Sequence, residues 1–363
     1  MPITVVVGGQ FGGEGKGKTV AHLCRNCGYD AAVRCGGPNS GHTITLNNKQ
    51  VVLRQIPAGI VNSNTKLFLG AGCILDLDVL SREISHFGLH PDRLKIDHNA
   101  LILKNDYAQK EKENHFDTRI GSTCTGTGIA VAERVMRRGN VSLATDIPLL
   151  EPYLTDVSKD VQLLHLNGKR IIVEGTQGFG LSLYHSPYYP YVTSRDTTAS
   201  SFLSEIGVSP LIVSEIVMVL RTFPIRVGGN SGPLPNEITW KAIQLESGYQ
   251  EEILELTTVT NRVRRVGRFD IEIAKKAAIA NMPTQIVLMG ADYLDCRNRN
   301  AKHFEQLTEK TREFISWLER ELNIEIGLIG TGPTDFELID KWESIENEQK
   351  RYGEEKVRSA ALS

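Results

Sequence analysis

A glycine-rich loop near the start of the chain carries residue types that bind phosphate. Residues 12–19, Gly-Gly-Glu-Gly-Lys-Gly-Lys-Thr, satisfy the pattern G-x-x-x-x-G-K-T. Glycines let backbone N–H groups approach phosphate oxygens, the start of a following helix favours an anion, and lysine adds a point charge. The loop lies between an apolar run (3–7) and a helical pattern that begins near Lys18. We therefore predict nucleotide binding, because the alternative, a flexible glycine turn, does not need two lysines.

Apolar runs that end in glycine alternate with helical patterns along the chain. This alternation predicts an α/β fold with a large, mostly parallel central sheet and flanking helices around the phosphate loop. The expected strands are 3–7, 67–70, 170–175, 215–222, 285–290 and 325–330, with a hairpin from 43–46 and 51–54 around a turn at 47–50. The expected helices lie within 76–87, 105–115, 129–138, 270–281 and 303–322. Such strands place ligand chemistry at the carboxyl edge of a sheet. We expect one domain over residues 1–363, with inserted subregions at approximately 76–165 and 225–268.

The composition argues against several classes of protein. The 363 residues include 41 Lys+Arg and 43 Asp+Glu, a formal net charge of −2 that argues against a nucleic-acid binder. No stretch of apolar residues is long enough to predict a membrane span, and no signal-peptide pattern opens the chain. The Cys24-x-x-Cys27 spacing suggests a zinc or redox site, but without a second such pair it favours two thiols on one helix face. We expect a cytoplasmic protein with reduced cysteines.

Seven segments of the chain together resemble the adenylosuccinate synthetase family and follow that family's order. They are 8–19 (GGQFGGEGKGKT), 37–43 (GPNSGHT), 121–123 (GST) with 137–139 (RRG), 174–178 (EGTQG), 190–194 (PYVTS), 260–267 (TNRVRRVG) and 330–333 (GTGP). The resemblance implies the synthetase fold and a ligase reaction. A triphosphate phosphorylates the 6-oxo group of a purine monophosphate, and the amino group of aspartate then displaces the phosphate. Phosphoryl transfer of this kind relies on positioning and charge neutralisation.

The resemblance also implies the catalytic and metal-binding residues. His42 matches the catalytic histidine, whose imidazole would donate to O6, and Lys16 is the second catalytic candidate. The backbone carbonyl of Gly41 would hold Mg²⁺, with the backbone of Gly13 as a second candidate. The structural alternatives are a buried histidine and glycines that only form turns.

Three sets of binding residues follow from the same matches. The residues for the acceptor nucleotide are Gly13, Asn39, Thr123, Arg137, Gln177, Thr193 and Arg262. Those for the triphosphate are Gly12, Glu14, Gly15, Gly17, Lys18, Thr19, Gly41, His42, Thr43, Arg264, Asp292, Gly330, Thr331 and Gly332. Those for aspartate are Thr258, Val259, Thr260, Arg262, Arg264 and Arg265, since guanidinium groups bind carboxylates in pairs of hydrogen bonds. Arg137 matches an arginine that reaches the neighbouring subunit, which implies a homodimer. Without the resemblance, these threonines would be interpreted as turn formers and the arginines as solvated charges.

Gly13 is the first departure from the family pattern, because it stands where the family has aspartate. That carboxylate accepts the N1 proton and touches Mg²⁺, and the loss of a general base costs about 10²–10⁴ in rate. Guanine carries a 2-amino group beside N1, and glycine would leave room for it. The pattern resembles a phage branch of the family that joins aspartate to dGMP, giving N6-succino-2-amino-2′-deoxyadenylate for 2-aminoadenine DNA. In that case the protein acts in the host cytoplasm.

The second departure concerns the triphosphate. Residues 289–292 read Met-Gly-Ala-Asp where the family has Thr-Lys-Leu-Asp, so the lysine that packs on guanine is replaced by Gly290. The segment 330–332 (Gly-Thr-Gly) likewise has glycine where serine is usual. Both changes favour ATP or dATP as the donor, with GTP still open.

Three alternatives remain beside a ligase acting on dGMP. An ordinary adenylosuccinate synthetase would use IMP and GTP, with another group as the base. A nucleotide-binding regulatory protein would have a degenerate site. A generic P-loop NTPase would need a Walker-B carboxylate, for which Glu174 is the candidate.

Overall fold

The computed structural model describes residues 3–258 and 261–341. The strands in those ranges are β1 (Ile3–Gly8), β2 (Ala31–Arg34), β3 (His42–Leu46), β4 (Lys49–Leu53), β5 (Lys66–Leu69), β6 (Ile74–Leu75), β7 (Leu94–Asp97), β8 (Leu101–Ile102), β9 (Ser142–Leu143), β10 (Leu154–Thr155), β11 (Ile171–Glu174), β12 (Val213–Arg221), β13 (Ile225–Arg226), β14 (Glu237–Ile238), β15 (Arg265–Gly267), β16 (Gln285–Met289), β17 (Ile326–Gly330) and β18 (Leu338–Asp340). The helices are α1 (Lys16–Asn26), α2 (Leu77–Phe87), α3 (Tyr107–Glu113), α4 (Phe116–Arg119), α5 (Thr127–Met136), α6 (Val157–Leu166), α7 (Ala199–Ile206), α8 (Trp240–Ser247), α9 (Ile271–Asn281), α10 (Ala291–Leu294) and α11 (Glu309–Leu322).

A ten-stranded sheet forms the centre of the described part of the chain. Its order is β10-β7-β5-β2-β11-β1-β12-β16-β17-β18, and every neighbouring pair is parallel except β17 with β18. The central strands are buried on both faces, as the continuous apolar runs require. One apolar cluster on each face covers them: Ile3, Val5 and Val7 of β1 face one cluster, and Val6 faces the other. This sheet confirms the fold class expected from the sequence.

Smaller elements pack beside the sheet in the two expected subregions. Residues 76–165 contain α2 to α5, all but the last residue of α6, and most of a small sheet of order β6-β8-β9. Residues 225–268 contain α8 and a sheet of order β13-β15-β14. Whether these segments are insertions in a single domain stays a prediction.

Local backbone geometry shifted several predicted boundaries. Helix α1 begins at Lys16, and not near Lys18, because Gly15 precedes it with a φ of 104° that ends the loop. The turn of the β3–β4 hairpin is only Asn47-Asn48, both at positive φ, which is a two-residue turn that asparagine tolerates. Helix α11 begins at Glu309, after a short 3₁₀ turn at Phe304–Gln306. Short strands such as β2 and β7, and helices α6 to α8, were not predicted.

Candidate active site

The ends of six sheet strands open into one cavity of about 1160 Å³. The loops that follow β1, β2, β11, β12, β16 and β17 all contribute residues to its walls. Because all six strands are parallel, their carboxyl ends meet at one edge of the sheet. The structure therefore places the predicted motifs from distant parts of the chain around one space.

The phosphate loop is held together from inside by a buried glutamate. The side chain of Glu14 is fully buried, and its Oε1 accepts hydrogen bonds from the backbone N–H of Gly12 at 2.7 Å and of Gln10 at 3.2 Å. Its Oε2 accepts from Nζ of Lys16 at 2.7 Å. Lys16 also donates to the backbone carbonyl of Gln177. Glu14 thus satisfies the loop's own donors, and Lys16 ties the loop to the end of β11.

Lys18 is the lysine of the loop whose pKa is shifted by its surroundings. Burial lowers its pKa to about 8, although the nearby carboxylates of Asp292 and Glu337 act in the opposite direction. Its Nζ donates to the carbonyl oxygen of Gly332 at 2.5 Å. An ammonium group with no bonded carboxylate in the described part of the chain suits a triphosphate that supplies the missing negative charge.

His42 lies in a buried polar cluster with Arg34 and Glu174. Its Nδ1 contacts the Glu174 carboxylate and lies 3.0 Å from Nη1 of Arg34, while its Nε2 lies 3.1 Å from the carbonyl oxygen of Ile56. Glu174 also accepts from Arg34 at 2.9 Å and from the backbone N–H of Ala58 at 2.8 Å. Burial opposes the charge of Glu174, but His42 and Arg34 outweigh it and lower the pKa of that carboxyl. Both ring nitrogens of His42 are engaged, so the ring must turn before it donates to a substrate oxygen.

The space beside Gly13 is not open, which corrects the expectation from the sequence. A Cβ atom at Gly13 would overlap Nη1 of Arg264 and lie 2.9 Å from Cδ1 of Ile225, and the φ of 68° is itself unfavourable for a side chain. Arg264 is fixed there by its Nε, which donates to the carbonyl oxygen of Leu256 at 3.0 Å. Burial lowers the pKa of Arg264. A guanidinium group, and not empty volume, replaces the family's carboxylate in this conformation.

The carbonyl oxygen of Gly13 faces a second guanidinium group. It accepts from Nη1 of Arg221 at 3.1 Å, and Arg221 is itself paired with Glu255. A carbonyl that faces a cation is poorly placed to hold a metal ion. The carbonyl of Gly41 accepts from the hydroxyl of Thr258 at 3.2 Å and lines the cavity. Gly41 is therefore the metal candidate that the geometry fits.

Four residues expected around the acceptor nucleotide, besides Gly13, belong to the wall of the cavity. Asn39, Thr123, Gln177 and Thr193 all line it. Gln177 adopts a φ of 53°, unusual for a residue other than glycine, and its buried Oε1 has no hydrogen-bond partner. An unpaired buried amide oxygen on a strained backbone indicates that a ligand supplies the missing hydrogen-bond donor.

Most of the residues expected around the triphosphate also belong to the wall of the cavity. Gly12, Glu14, Gly15, Gly17, Lys18, Gly41, His42, Thr43, Arg264, Asp292 and Gly332 line the cavity. Asp292 is 5% exposed and follows β16. Gly290 has a φ of 82°, and a Cβ atom there would lie 2.9 Å from Oγ1 of Thr222, so this backbone leaves little place for the family's lysine. Thr19, Gly330 and Thr331 lie behind the lining, where Thr19 Oγ1 donates to the carbonyl of Gly15 and Thr331 Oγ1 to that of Ala301.

Three predicted arginines are not brought into the cavity. Arg137 is exposed at the end of α5, and Arg262 is exposed in the loop before β15. Arg265 is paired with Glu237 at 2.5 Å and donates to the carbonyl of Gly232. Val259 and Thr260 lie outside the described residues. Thr258 and Arg264 are thus the aspartate candidates that line the cavity.

Other expectations concern metals, thiols and membranes. Cys24 is buried and Cys27 half-buried at the end of α1, and burial raises the pKa of the Cys24 thiol. In residues 3–258 and 261–341, no group of three or more His, Cys, Asp or Glu side chains is placed to hold a metal ion. No helix in these ranges has the length and apolar character needed to cross a membrane.

Sequence reasoning missed three residues that shape the site. Arg221 ends β12 and links Gly13 to Glu255. Glu174 begins the 174–178 segment and was also considered as a Walker-B candidate, but its contact with His42 was not predicted. Tyr249, in the loop after α8, donates to Asp292 at 2.8 Å, and nothing in its sequence context indicates this contact.

Sequence comparison relates most of the chain to one family. The family model described as adenylosuccinate synthetase matches residues 5–147 and 141–299. The adenylosuccinate synthetase of Pyrococcus horikoshii is 39% identical over 350 residues, which cover 95% of this chain and all of the relative. That of Methanocaldococcus jannaschii is 40% identical over 342 residues, which cover 93% and 96%.

Two solved structures share the fold over most of their length. The fully ligated adenylosuccinate synthetase from Plasmodium falciparum has a TM-score of 0.82 at 22% identity, covering 94% of this chain and 100% of that one. The succinoaminodeoxyadenylate synthetase of cyanophage S-2L, bound to dGMP and to dATP as an energy donor, has a TM-score of 0.79 at 25% identity, covering 94% and 95%.

Proposed function

This chain belongs to the adenylosuccinate synthetase family, and from that premise we propose that it joins L-aspartate to C6 of dGMP. As a member it is a C–N bond-forming ligase that attaches aspartate to a purine nucleotide. In the proposed reaction a nucleoside triphosphate phosphorylates O6 of dGMP. The amino group of aspartate then forms a bond to C6 as phosphate leaves. The product is N6-succino-2-amino-2′-deoxyadenylate.

The observation that carries the choice of dGMP is the backbone of Gly13. Its positive φ and its contacts with Arg264 and Ile225 leave no place for an aspartate unless Arg264 moves. The site is therefore built around the absence of a carboxylate that would accept the N1 proton of hypoxanthine. For guanine to bind, Arg264 has to withdraw from Gly13, and the 2-amino group then takes the space it vacates. The cyanophage structure, which binds dGMP, supports this proposal.

IMP is the second candidate acceptor, and two observations favour it. The archaeal relatives at 39–40% identity are named adenylosuccinate synthetases and match nearly the full length of the chain. Arg264 also occupies the volume that a 2-amino group would need. With IMP as with dGMP, a group other than a carboxylate at position 13 has to accept the N1 proton, because both bases carry one.

The proposed donor is ATP or dATP, with Mg²⁺. In this proposal Lys18 and the N-terminal end of α1 bind the phosphates. The hard carbonyl oxygen of Gly41 suits Mg²⁺, which takes most of its other ligands from phosphate and water. When bound, the ion would neutralise charge on the transferring phosphoryl group. The glycine at position 290 supports a donor other than GTP, since no lysine is present to pack on guanine.

We further propose a homodimer in the cytoplasm in which Arg137 reaches the partner's acceptor nucleotide. Arg137 is exposed, outside its own cavity, and follows the exposed apolar side chains of Val135 and Met136. An arginine beside an apolar surface suits a contact between subunits better than a solvated helix end.

A crossed substrate assay tests the proposal. Purified protein with aspartate and Mg²⁺ is given IMP, GMP or dGMP with ATP, dATP or GTP, and the succinylated product is followed by mass. We expect product from dGMP. Product from IMP alone would overturn the choice of acceptor, and no product from any combination would favour a regulatory protein.

Substitution at Gly13 provides the sharper control. Gly13→Asp combined with Arg264→Ala restores a carboxylate and makes room for it, so preference should shift toward IMP. Gly28→Asp is the matched control, because Gly28 has nearly the same φ of 66° but open space around it. Its acceptor preference should stay that of the unmodified protein. An unchanged preference in the double variant would show that the glycine does not select the base.

A further inference from the structure

Phosphorylation of O6 on a 6-oxopurine requires a proton acceptor, because N1 has to lose its hydrogen before the N1=C6 double bond can form. Position 13 is glycine in this chain, so the acceptor has to lie elsewhere. Seven carboxylate side chains belong to the wall of the cavity. Their burial and their contacts decide which of them is able to take a proton from a bound base.

Four of these carboxylates are buried and already bonded to groups of the protein. The side chains of Glu14 and Glu174 are fully buried. Glu111 accepts from two backbone N–H groups at the start of α5, at 2.8 and 2.7 Å. Asp292 is 5% exposed and accepts from the hydroxyl of Tyr249. These four groups stabilise the walls of the site and have little access to its space.

Glu255 differs from the others in being both accessible and joined to the phosphate loop at Gly13. Its side chain is 23% exposed. Nη1 of Arg221 lies 3.1 Å from the carbonyl oxygen of Gly13 and donates to Oε2 of Glu255 at 3.2 Å. A single nitrogen atom therefore bridges this carboxylate and position 13. Glu251 and Glu252 are exposed, and in the part of the chain that the structure describes no hydrogen bond links either of them to that position.

The guanidinium group that fills the space beside Gly13 also interacts with Glu255. Burial opposes the charge of Glu255, but Arg221, Arg264 and a hydrogen bond from Tyr293 outweigh it and lower the pKa of that carboxyl. The group is therefore an ionised acceptor near neutral pH. Oε1 accepts from Arg221 and Tyr293, whereas among the described residues Oε2 accepts only from Arg221. Oε2 thus keeps a lone pair for a further donor.

We propose that Glu255 is a catalytic residue that accepts the N1 proton of the acceptor base. The inference rests on the proposed function, which places the purine beside Gly13 once Arg264 withdraws. As O6 bonds to the γ-phosphorus, the bond from that phosphorus to the leaving nucleoside diphosphate breaks, and its electron pair stays on the diphosphate. The electron pair of N1–H forms the N1=C6 double bond, and the proton passes to Oε2 of Glu255. Phosphorylation of O6 makes N1–H acidic, so a carboxylate of low pKa suffices as the base. Water takes the proton from Glu255 before the next turnover.

Steady-state kinetics of Glu255→Gln provide the first test, with dGMP and IMP measured in parallel. Glutamine keeps the shape and one acceptor oxygen for Arg221, but it is not a base. We expect kcat to fall by about 10²–10⁴, as on loss of a general base. Glu246→Gln is the matched control, because Glu246 is also bonded by both terminal nitrogens of an arginine, Arg268, but lies outside the residues that line the cavity. Its kcat should stay that of the unmodified protein.

Positional isotope exchange separates this role from a structural one, because it follows phosphoryl transfer without aspartate. ATP and GTP carry oxygen-18 in the bridge between the β and γ phosphates. The label reaches a non-bridging β position only when the bond to the γ-phosphorus breaks and forms again. We expect exchange in the unmodified protein and in Glu246→Gln, and exchange at least about tenfold slower in Glu255→Gln. If Glu255 only held the loop that binds aspartate, kcat would fall and the exchange would not change.

Two results would overturn the proposal: a kcat of Glu255→Gln within tenfold of the unmodified protein, or a lower kcat with unchanged exchange. If Glu255→Gln does not fold, Glu255→Asp provides the second arm, since it keeps the charge but withdraws the carboxylate by one methylene. Unchanged exchange in Glu255→Asp would then count against the proposal. Product from IMP alone would overturn the choice of dGMP, but Glu255→Gln should still lose kcat with IMP, because both bases carry an N1 proton.

Discussion

The phosphate loop and the arginine loop before β15 line the same cavity, but they are prepared for ligands in different ways. In the phosphate loop, Glu14 already bonds the backbone of Gly12 and the amine of Lys16. In the arginine loop, Arg264 lies against Gly13, and Arg265 pairs with Glu237. The first loop is organised before substrate arrives, and the second has to exchange protein contacts for substrate contacts. Substitutions should therefore affect stability in the first loop and substrate selectivity in the second.

Glu14→Ala should have the largest effect, because it removes the partner of two backbone donors and leaves Lys16 without its carboxylate. Breaking one partner of a buried ion pair costs about 3–5 kcal/mol in the free energy of unfolding. Denaturant unfolding measures that loss, and kcat should fall with it. Glu14→Gln keeps the shape and the bond from Gly12, so it should lose less. A decrease below about 1 kcal/mol in Glu14→Ala would mean that the loop does not depend on this carboxylate.

His42→Asn should have the next largest effect, on catalysis and not on folding. Loss of a positioned proton donor lowers kcat by roughly 10²–10⁴. The KM for the nucleotides should change little, since the phosphate contacts remain. His90→Asn is the control, because His90 is exposed and paired only with Asp92. Steady-state kinetics decide the matter, and a kcat within tenfold of the unmodified protein would show that His42 is only a partner of Glu174.

Much of this site could be predicted from the sequence, because the motifs follow strands whose carboxyl ends meet at one edge. The position of His42, Gln177 and Asp292 around one cavity follows from that topology. The contact of Arg264 with Gly13 could not be predicted, since a missing side chain does not indicate which neighbour fills its place. The turn at Asn47-Asn48 and the start of α1 at Lys16 were misplaced because a single positive-φ residue sets each boundary.

The roles of individual side chains were harder to predict than their location. Glu14 is predicted among the triphosphate residues, and the sequence does not indicate that its buried carboxylate bonds the loop itself. Arg265 was grouped with Arg264 by sequence, but neighbouring residues of an extended chain point in opposite directions. Glu237, across the β14–β15 pair, and the carbonyl of Gly232 explain where the side chain of Arg265 lies.

Lys18 provides a test of moderate size that depends on pH. Because the pKa of Lys18 is about 8, its amine is protonated and charged below that pH. The charge is lost as the pH rises above 8. The KM for the triphosphate should therefore increase by up to about tenfold per pH unit above pH 8, as expected when binding requires the protonated form. Lys18→Arg should flatten this profile, because arginine stays charged. A KM that does not change between pH 7 and pH 9.5 would contradict the role of this charge.

The lowered pKa of Lys18 makes the folded chain more stable as the pH rises, whereas it weakens triphosphate binding. The pKa of Lys18 is lower in the folded chain, at about 8, than its ordinary value of 10.5. Between these values the unfolded chain binds more protons, so the contribution of Lys18 to stability rises with pH. Below pH 8 the amine of Lys18 is charged, so the triphosphate is bound best there. In the same pH range, burial of the charged amine lowers the free energy of unfolding the most.

The smallest effect is expected from Arg265→Ala, which separates the two arginines of the second loop. Arg265 is held by Glu237 and the carbonyl of Gly232, away from the cavity, whereas Arg264 lines it. The KM for aspartate should change less than about threefold, and the free energy of unfolding by less than about 1 kcal/mol, as for exposed ion pairs. In Arg264→Ala the KM for aspartate should rise at least tenfold, since a guanidinium–carboxylate contact is lost. A similar increase of the KM for aspartate in both variants would show that substrate draws Arg265 away from Glu237. The second loop would then rearrange by more than the withdrawal of Arg264 from Gly13.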